Sequence, residues 1–138
     1  MVVGVLWASN SPLKTKLTFW LEANNKFLTW ENLRKKGFQG PGLCPQCKSE
    51  NESTSHLFGS CSFAGHVWNN ATRTLTQTRL NIAVGSWVQR AKEWWGNEAV
   101  CNHSAFPTLF IYTIWETRNR AIFKDKWMPI DITTNILV

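Results

Sequence analysis

The stretch Cys44-Pro45-Gln46-Cys47, followed by His56 and Cys61, decides how the rest of the chain is interpreted. Its spacing is Cys-x2-Cys-x8-His-x4-Cys, which puts three thiols and one imidazole in one short segment. Zinc prefers four such ligands at a tetrahedral centre, and a Cys-x2-Cys turn directs two sulfurs at one point. The pattern therefore predicts one structural Zn2+ held by these four side chains, because a closed set of four leaves no position for a catalytic water.

Other cysteines and histidines in the sequence are alternative candidates for the zinc ligands. His66 lies about one helical turn beyond Cys61 and is an alternative to His56. Cys101 and His103 are alternatives too, either as a separate pair or with Cys101 as a substitute ligand. Four cysteines also fit two disulfides, but the ordered spacing with a histidine is the metal pattern of reducing compartments. We expect an intracellular protein, cytoplasmic or nuclear and not secreted.

The spacing between His56 and Cys61 restricts the local backbone. On one continuous α-helix these two side chains would point about 140° apart, at about 100° per residue. The helix must therefore break between them, and Gly59-Ser60 supplies the break. Cys61 and Ser62 then open the next helix. The predicted site consists of a knuckle, a short helical turn and a helix start.

Size and patterning indicate one mainly helical domain. The chain has 138 residues, a common size for one domain, and its nine tryptophans and eight phenylalanines supply much burial. Apolar residues recur at intervals of three and four along most of the sequence. The predicted helices run from Pro12 to about Asn24, from Thr29 to Gly37, from Ser62 to about Leu75, from Val84 to Trp95, from Ser104 to Phe123 and from Pro129 onward. The fold class is a small multi-helix domain organised around the Cys3His knuckle.

Two of these helices carry detailed signals. In the first, the predicted apolar face consists of Leu13, Leu17, Trp20 and Leu21. In the second, Thr29 is the N-cap, and Gly37 sits where a left-handed C-cap is needed. Phe38 would then pack back on Leu33 as in a Schellman ending. Both ends of the second helix are thus encoded locally.

The helix that ends at Phe123 has polar residues on its predicted apolar face. Its first half, around Leu109 to Ile114, also fits a strand, but the second half has a helical period. One face carries Trp115, Arg118, Asn119, Ile122 and Phe123. Polar groups on such a face must be paired, so we expect Arg118 and Asn119 to bond backbone carbonyls or an acid within the fold.

The charge balance favours a polyanionic partner. Lys and Arg number 15 against nine Asp and Glu, for a formal net charge of +6. Such an excess favours nucleic acid first, and RNA or single-stranded DNA is the partner expected here, with no membrane. A structural role exists for the cations in the last turn of the second helix, because the helix dipole favours them. Candidate nucleic-acid contacts are Lys14, Lys16, Arg34, Lys35, Lys36, Arg120, Lys124 and Lys126.

Catalytic residues are poorly represented. Two-metal polymerase or ribonuclease chemistry requires clustered carboxylates, and the only aspartates are Asp125 and Asp131. Cys101 and His103 have no evident third residue to orient them as a nucleophile and base. We therefore expect a protein that is not an enzyme.

The segment from Leu6-Trp7 through Trp68 resembles the zinc-binding domain of plant LINE-type (non-LTR retrotransposon) reverse transcriptases. The residues that carry this resemblance are Lys16 to Leu21, Leu28-Thr29, Leu33, Gly37, Cys44 to Cys47, Glu52, His56 to Phe58, Cys61 and Val67-Trp68. A second segment, Ile114 to Phe123, is similar to the Trp-x2-Arg-Asn-x3-Phe motif that follows in such polyproteins, ahead of a ribonuclease H domain.

The resemblance implies a domain layout and a function. It assigns residues 5–75 to the zinc-binding domain, residues 76–138 to a helical extension packed on it, and the four ligands to zinc. Because neither polymerase nor ribonuclease H sequence accompanies it, we expect a detached remnant or domesticated fragment. The implied activity is auxiliary nucleic-acid binding. The alternative is a structural or protein-interaction domain that once packed against polymerase or nuclease, or a non-functional remnant.

Overall fold

The computed structural model describes residues 12–76, 93–95 and 105–137 and is mainly helical over these ranges. Its elements are α1 (Leu13–Ala23), α2 (Trp30–Lys35), a single π-helical turn (His56–Ser60), α3 (Ser62–Thr76), α4 (Phe106–Phe123) and α5 (Ile130–Leu137). The mainly α fold class is confirmed. Most of the predicted helix from Val84 to Trp95 lies outside the described residues, and residues 93–95 are helical.

Helix α1 forms where its sequence predicts it, but it buries a different face. Pro12 precedes its first turn, and the predicted cap Ser11 lies outside the described residues. Leu13, Leu17 and Trp20 are exposed. The buried side chains are Thr15, Phe19 and Glu22, spaced by four and three residues. Of the predicted apolar face, Leu21 packs against the core, and the other three residues are exposed. The prediction is wrong for those three, because packing against neighbouring elements, and not hydrophobicity alone, determines which face is buried.

One buried residue of α1 is an unpaired acid. The side chain of Glu22 is 8% exposed, and its Oε2 atom has no hydrogen-bond partner. Burial without a compensating charge raises the pKa of Glu22 to about 8. The carboxyl group is therefore mostly protonated at neutral pH.

Helix α2 has the caps that its sequence predicts. The Thr29 side chain accepts a hydrogen bond from the amide of Asn32, and Gly37 has a φ of +90°. The amide of Phe38 donates to the carbonyl of Leu33, and that of Gly37 donates to Arg34. These two bonds make the Schellman ending. A loop from Gly37 to Gly42 connects α2 to the metal-ligand segment. The glycine at each end of this loop has a left-handed backbone conformation.

The core is built mainly from α3 and α4, and α1 and the π-helical turn add Phe19, Leu57 and Phe58 to it. One face of α3 is buried, with Ala64, Val67, Trp68 and Ala71 at most 2% exposed. The Trp68 ring meets the Phe110 ring edge to face at 5.1 Å. Aromatic pairs of this geometry add to the stability gained by burial.

Helix α4 is helical throughout, so the strand alternative for Leu109 to Ile114 is wrong. Its most buried apolar residues are Phe110, Ile111 and Ile114. The face predicted from the sequence lies at the edge of this buried strip, with Arg118 buried and Phe123 75% exposed. Burial of β-branched and aromatic side chains on a packed helix outweighs their weak preference for strands.

The remaining contacts close the bundle. Helix α1 packs on α4, and α5 packs on α3 and α4, while the π-helical turn contacts both α3 and α4. Helix α5 begins just after Pro129, as predicted. Within the described ranges, no helix has the length and apolar character needed to cross a membrane.

Candidate metal centre

The four predicted ligands converge at one point. The ligand atoms of Cys44, Cys47, His56 and Cys61 all lie within 4.8 Å of one another. Cys44, His56 and Cys61 are buried, and Cys47 is half-buried. Burial of three thiols and an imidazole in one group is costly unless these groups bind a common ion or each other.

The first two ligands sit on a tight backbone turn. Its ends are joined by an antiparallel bridge between Leu43 and Asn51, and the amide of Cys44 donates to the carbonyl of Glu50. The amide of Lys48 donates to the carbonyl of Cys44. Lys48 has a φ of +56°, a conformation that glycine adopts at lower cost. The turn is thus closed by backbone bonds, with some strain at Lys48.

A π-helical turn joins the other two ligands. The Ser53 hydroxyl accepts a hydrogen bond from the amide of His56, and the amide of Cys61 donates to the carbonyl of His56, five residues back. This wider turn ends the helix at Ser60, and Cys61 is extended, with φ −63° and ψ 131°. The predicted break is confirmed, and α3 begins directly after Cys61. π turns of this kind are frequent at functional sites.

Two distances between ligand atoms are close to those of a tetrahedral zinc site. With Zn–S bonds of about 2.3 Å, two tetrahedral sulfurs lie about 3.8 Å apart, and a sulfur and a nitrogen about 3.5 Å apart. The Sγ atoms of Cys44 and Cys61 are 3.9 Å apart. Cys47 Sγ and His56 Nε2 are 3.2 Å apart. The donor set and its spacing therefore support one structural Zn2+.

The imidazole of His56 is oriented by groups around the site. Its Nδ1 lies 3.1 Å from the Ser60 hydroxyl and 3.3 Å from a carboxylate oxygen of Glu50. A proton on Nδ1 would bond these acceptors and leave the Nε2 lone pair directed at the cysteines. Glu50 therefore supports the ligand from outside the set, a role that the sequence analysis did not assign.

Two of the thiols share a hydrogen bond. This bond to Cys61 raises the pKa of Cys44, and the reciprocal bond lowers the pKa of Cys61. These two pKa changes have opposite directions because the Sγ atoms of Cys44 and Cys61 share one proton across 3.9 Å. Zinc ligation takes thiolates, so binding would remove both protons.

A buried ion pair fixes the segment between the ligands. The carboxylate of Glu52 accepts from Nε of Arg118 at 2.9 Å and from its NH2 group at 2.7 Å. The side chains of Arg118 and Glu52 are 3% and 0% exposed. Such a two-pronged pair is the strongest geometry between these groups. The acid predicted for Arg118 is therefore Glu52, located between the second and third ligands.

Each member of the pair makes further bonds. Glu52 also accepts from the amide of Trp30, at the start of α2. Arg118 donates to the side-chain oxygen of Asn119 and to the carbonyl of Leu28, and its guanidinium lies over the Trp115 ring. The structural role predicted for Arg118 is confirmed. In the sequence analysis Glu52 appears only as one of the residues that carry the resemblance. The arginine predicted on the apolar face of α4 indicates that an acid is needed, but it does not indicate which one.

The predicted nucleic-acid contacts fall in three places. On α1, Lys14 lies 4.6 Å from the Tyr112 ring, and its hydrogen bond with Tyr112 raises the pKa of Lys14. Lys16 is half-buried on the same helix. The other six are exposed and lie in or just after α2, or in the last turn of α4 and just after it: Arg34, Lys35, Lys36, Arg120, Lys124 and Lys126. Lys35 forms an exposed ion pair with Glu31.

Of the alternative ligands, only His66 lies within the described residues. His66 is exposed on α3 and is not among the four converging side chains. Cys101 and His103 lie outside the described residues. The described part of the chain thus gathers the same four residues that the spacing predicts.

Comparison with known families agrees with this geometry. Residues 2–68 match the family model zf-RVT, described as zinc-binding in reverse transcriptase. No curated protein and no solved structure matches the chain. The match covers all four ligands and Glu52 and ends before α4, so Arg118 lies outside it. Residues 2–68 are thus similar to a zinc-binding domain of reverse transcriptases, and the family match together with the converging ligands supports one structural Zn2+.

Proposed function

We propose that this zinc-binding module serves an auxiliary role in binding RNA or single-stranded DNA, and that the zinc is a clamp with no part in the contact. The proposal is supported by the net charge of +6 and by the position of the exposed cations. The same proposal includes two further points. The module comes from a plant LINE-type element, and it acts detached from a polymerase.

One observation carries the proposal. A cleft between α2 and α4 is lined by Leu33 and Phe123, among others. Arg34, Lys35 and Lys36 directly follow Leu33, and Lys124 directly follows Phe123. Cations from two distant parts of the sequence are therefore adjacent in the chain to residues that line one concave surface, and this supports binding of a polyanion there.

A salt titration of labelled 20-nucleotide RNA and single-stranded DNA, followed by fluorescence anisotropy, tests the proposal. We expect the logarithm of the binding constant to fall linearly with the logarithm of salt concentration, by about 0.7 for each phosphate contacted. The triple variant Lys35→Gln, Lys36→Gln, Lys124→Gln should lower this slope by about 2. A control, Lys48→Gln with Arg73→Gln, removes two positive charges at positions outside the predicted contacts and should change the slope less. No binding by the unmodified protein at low salt would refute the proposal.

A second candidate function is a protein-interaction domain without nucleic-acid binding. Leu28 and Phe123, both exposed apolar residues on the cleft, favour it. The polymerase or ribonuclease H domains expected around such a module are the natural partners. This alternative predicts that salt has little effect on partner binding, because apolar burial is not screened.

A further inference from the structure

Two clefts meet at Leu28 and have different chemistry. The larger one, of about 290 Å³, lies between α2 and α4 and is mostly apolar. The smaller one, of about 200 Å³, is lined by Lys26, Lys35 and Lys36 together with polar groups of the loop before α2. Leu28 lines both clefts and is 47% exposed. One ligand that spans Leu28 would contact an apolar and a cationic site at once.

The apolar cleft contains one oriented polar group. Asn119 lines it, and its side-chain oxygen accepts from Arg118, which fixes the direction of the amide. The nitrogen end, Nδ2, donates to no described residue. It therefore offers two N–H donors to an acceptor that enters between the aliphatic side chains.

The walls of the apolar cleft suit a flat group. Leu28 and Leu33 contribute from the α2 side, and Ile122 and Phe123 contribute from α4. The Phe123 ring is 75% exposed, so most of its face is open to a stacking partner. The Trp115 ring is less open, because Phe27 lies 4.4 Å from it and the Arg118 guanidinium lies over it.

The cationic cleft suits a phosphate. Lys26 and Lys36 are exposed and form no ion pair with any residue in the described ranges, and the Lys35 pair with Glu31 is exposed and therefore weak. Three ammonium groups around one small cleft create a positive potential.

We infer that the two clefts form one nucleotide site: an unpaired base enters the apolar cleft beside Asn119, and the adjacent backbone phosphate is held by Lys26, Lys35 and Lys36. This inference rests on the proposed function and makes it specific, since a base can enter the cleft only when it is not paired and stacked in a duplex. Lys26 thereby joins the contacts expected from the sequence.

Bases and phosphates can be tested separately. A labelled 12-nucleotide single strand and an abasic strand of the same length carry equal charge, so the ratio of their affinities measures base contacts alone. We expect the unmodified protein to prefer the strand with bases by at least about 5-fold. Phe123→Ala should abolish most of this preference. Ile136→Ala, which shortens an exposed apolar residue of α5, is the matched control and should keep it.

The phosphate arm uses two charge-matched double variants. Lys26→Gln with Lys36→Gln should lower the salt slope by about 1.4 for both strands while leaving the base preference intact. Lys48→Gln with Arg73→Gln removes the same charge from positions outside both clefts and should leave the slope nearly unchanged. Circular dichroism of each variant checks that the fold is retained.

The outcomes distinguish this inference from the proposed function. If the unmodified protein binds neither strand, the proposed function fails. If it binds both equally, or if Phe123→Ala keeps the preference, nucleic-acid binding stands and the nucleotide site is wrong. A synthetic acidic amphipathic peptide is a third ligand. If this peptide shifts the NMR signals of Leu33 and Ile122 while neither strand does, the cleft is a protein-docking site and the inference is overturned.

Discussion

The zinc site and the Glu52–Arg118 ion pair both hold the segment from Gly42 to Cys61 in place, but they stabilise it by different interactions. The zinc site joins four side chains that are near in sequence and takes its strength from an ion. The Glu52–Arg118 pair joins residues 66 positions apart and takes its strength from geometry within the protein. A metal site can be lost by chelation, whereas a buried ion pair fails only when one partner is removed.

The ion pair also links the segment that matches the family to the helices that follow it. The matched family segment contains the zinc site and Glu52 but not Arg118. Without α4, the carboxylate of Glu52 would have only the amide of Trp30 to compensate it. The helical extension thus supplies the cation that the zinc-binding half requires, which favours one compact unit over two independent domains.

Loss of zinc should have the largest effect. Structural zinc contributes about 10–16 kcal/mol of apparent binding free energy in small zinc domains, so Cys61→Ser or excess chelator should unfold residues 42–61 at least. Thermal melts followed by circular dichroism, with zinc content measured by mass spectrometry, check this. His66→Ala is the matched control and should keep one zinc per chain. A protein that melts identically in chelator would contradict the zinc assignment.

Breaking the ion pair should cost less than losing zinc. Arg118→Met leaves Glu52 buried and uncompensated, and we expect a loss of about 3–5 kcal/mol in the free energy of unfolding by urea. Adding Glu52→Gln removes the orphaned charge and keeps an acceptor for the Trp30 amide, so the double variant should recover much of the loss. Additive losses in this cycle would show that the two side chains do not act as a pair.

A buried acid without a partner provides the contrast to Glu52. Because the folded-state pKa of Glu22 is raised to about 8, its protonated form stabilises the fold at low pH, and this stability is lost as pH rises through 8. From pH 6 to pH 9 the loss should be about 2–3 kcal/mol relative to Glu22→Gln, which does not titrate. Urea unfolding of both proteins at the two pH values measures the difference, and parallel pH profiles would refute it.

The smallest effect concerns the backbone of the knuckle. Lys48 has φ +56°, and its ammonium lies 4.2 Å from the Trp127 ring centroid. Lys48→Ala and Lys48→Gly both lose this ring contact, but only glycine relaxes the left-handed conformation. The glycine variant should be more stable than the alanine variant by about 1 kcal/mol in urea unfolding. Equal stability would mean that the turn is not strained.

Local signals predicted the parts of the fold that depend on few neighbours. The caps of α2 need only Thr29, Gly37 and the backbone, and a cysteine spacing suffices to propose a metal centre. The break between His56 and Cys61 follows from helical geometry. Helical geometry does not predict that the break takes the form of a π turn. An interrupted α-helix and a π turn both fit the five-residue spacing between His56 and Cys61.

Long-range packing accounts for what the sequence left out. On α1, Leu13 and Leu17 are exposed and Glu22 is buried, which is the opposite of what their hydrophobicity predicts. Packing against the neighbouring helices determines which face of α1 is buried. Glu52 could not be paired with Arg118 without knowing that α4 crosses the start of α2. Arg118 itself could be placed on a partly apolar face, which is why its need for an acid was predictable.

The order in which these contacts can form has a kinetic consequence. Every zinc ligand is present once Cys61 has been synthesised, whereas Glu52 must wait for Arg118, and closing so long a loop carries an entropic cost that slows folding. We therefore expect zinc-bound chains with an unsatisfied Glu52 as an early species. Such a species would expose the apolar residues that α4 later covers, so the time before α4 docks is when the chain is most prone to aggregate.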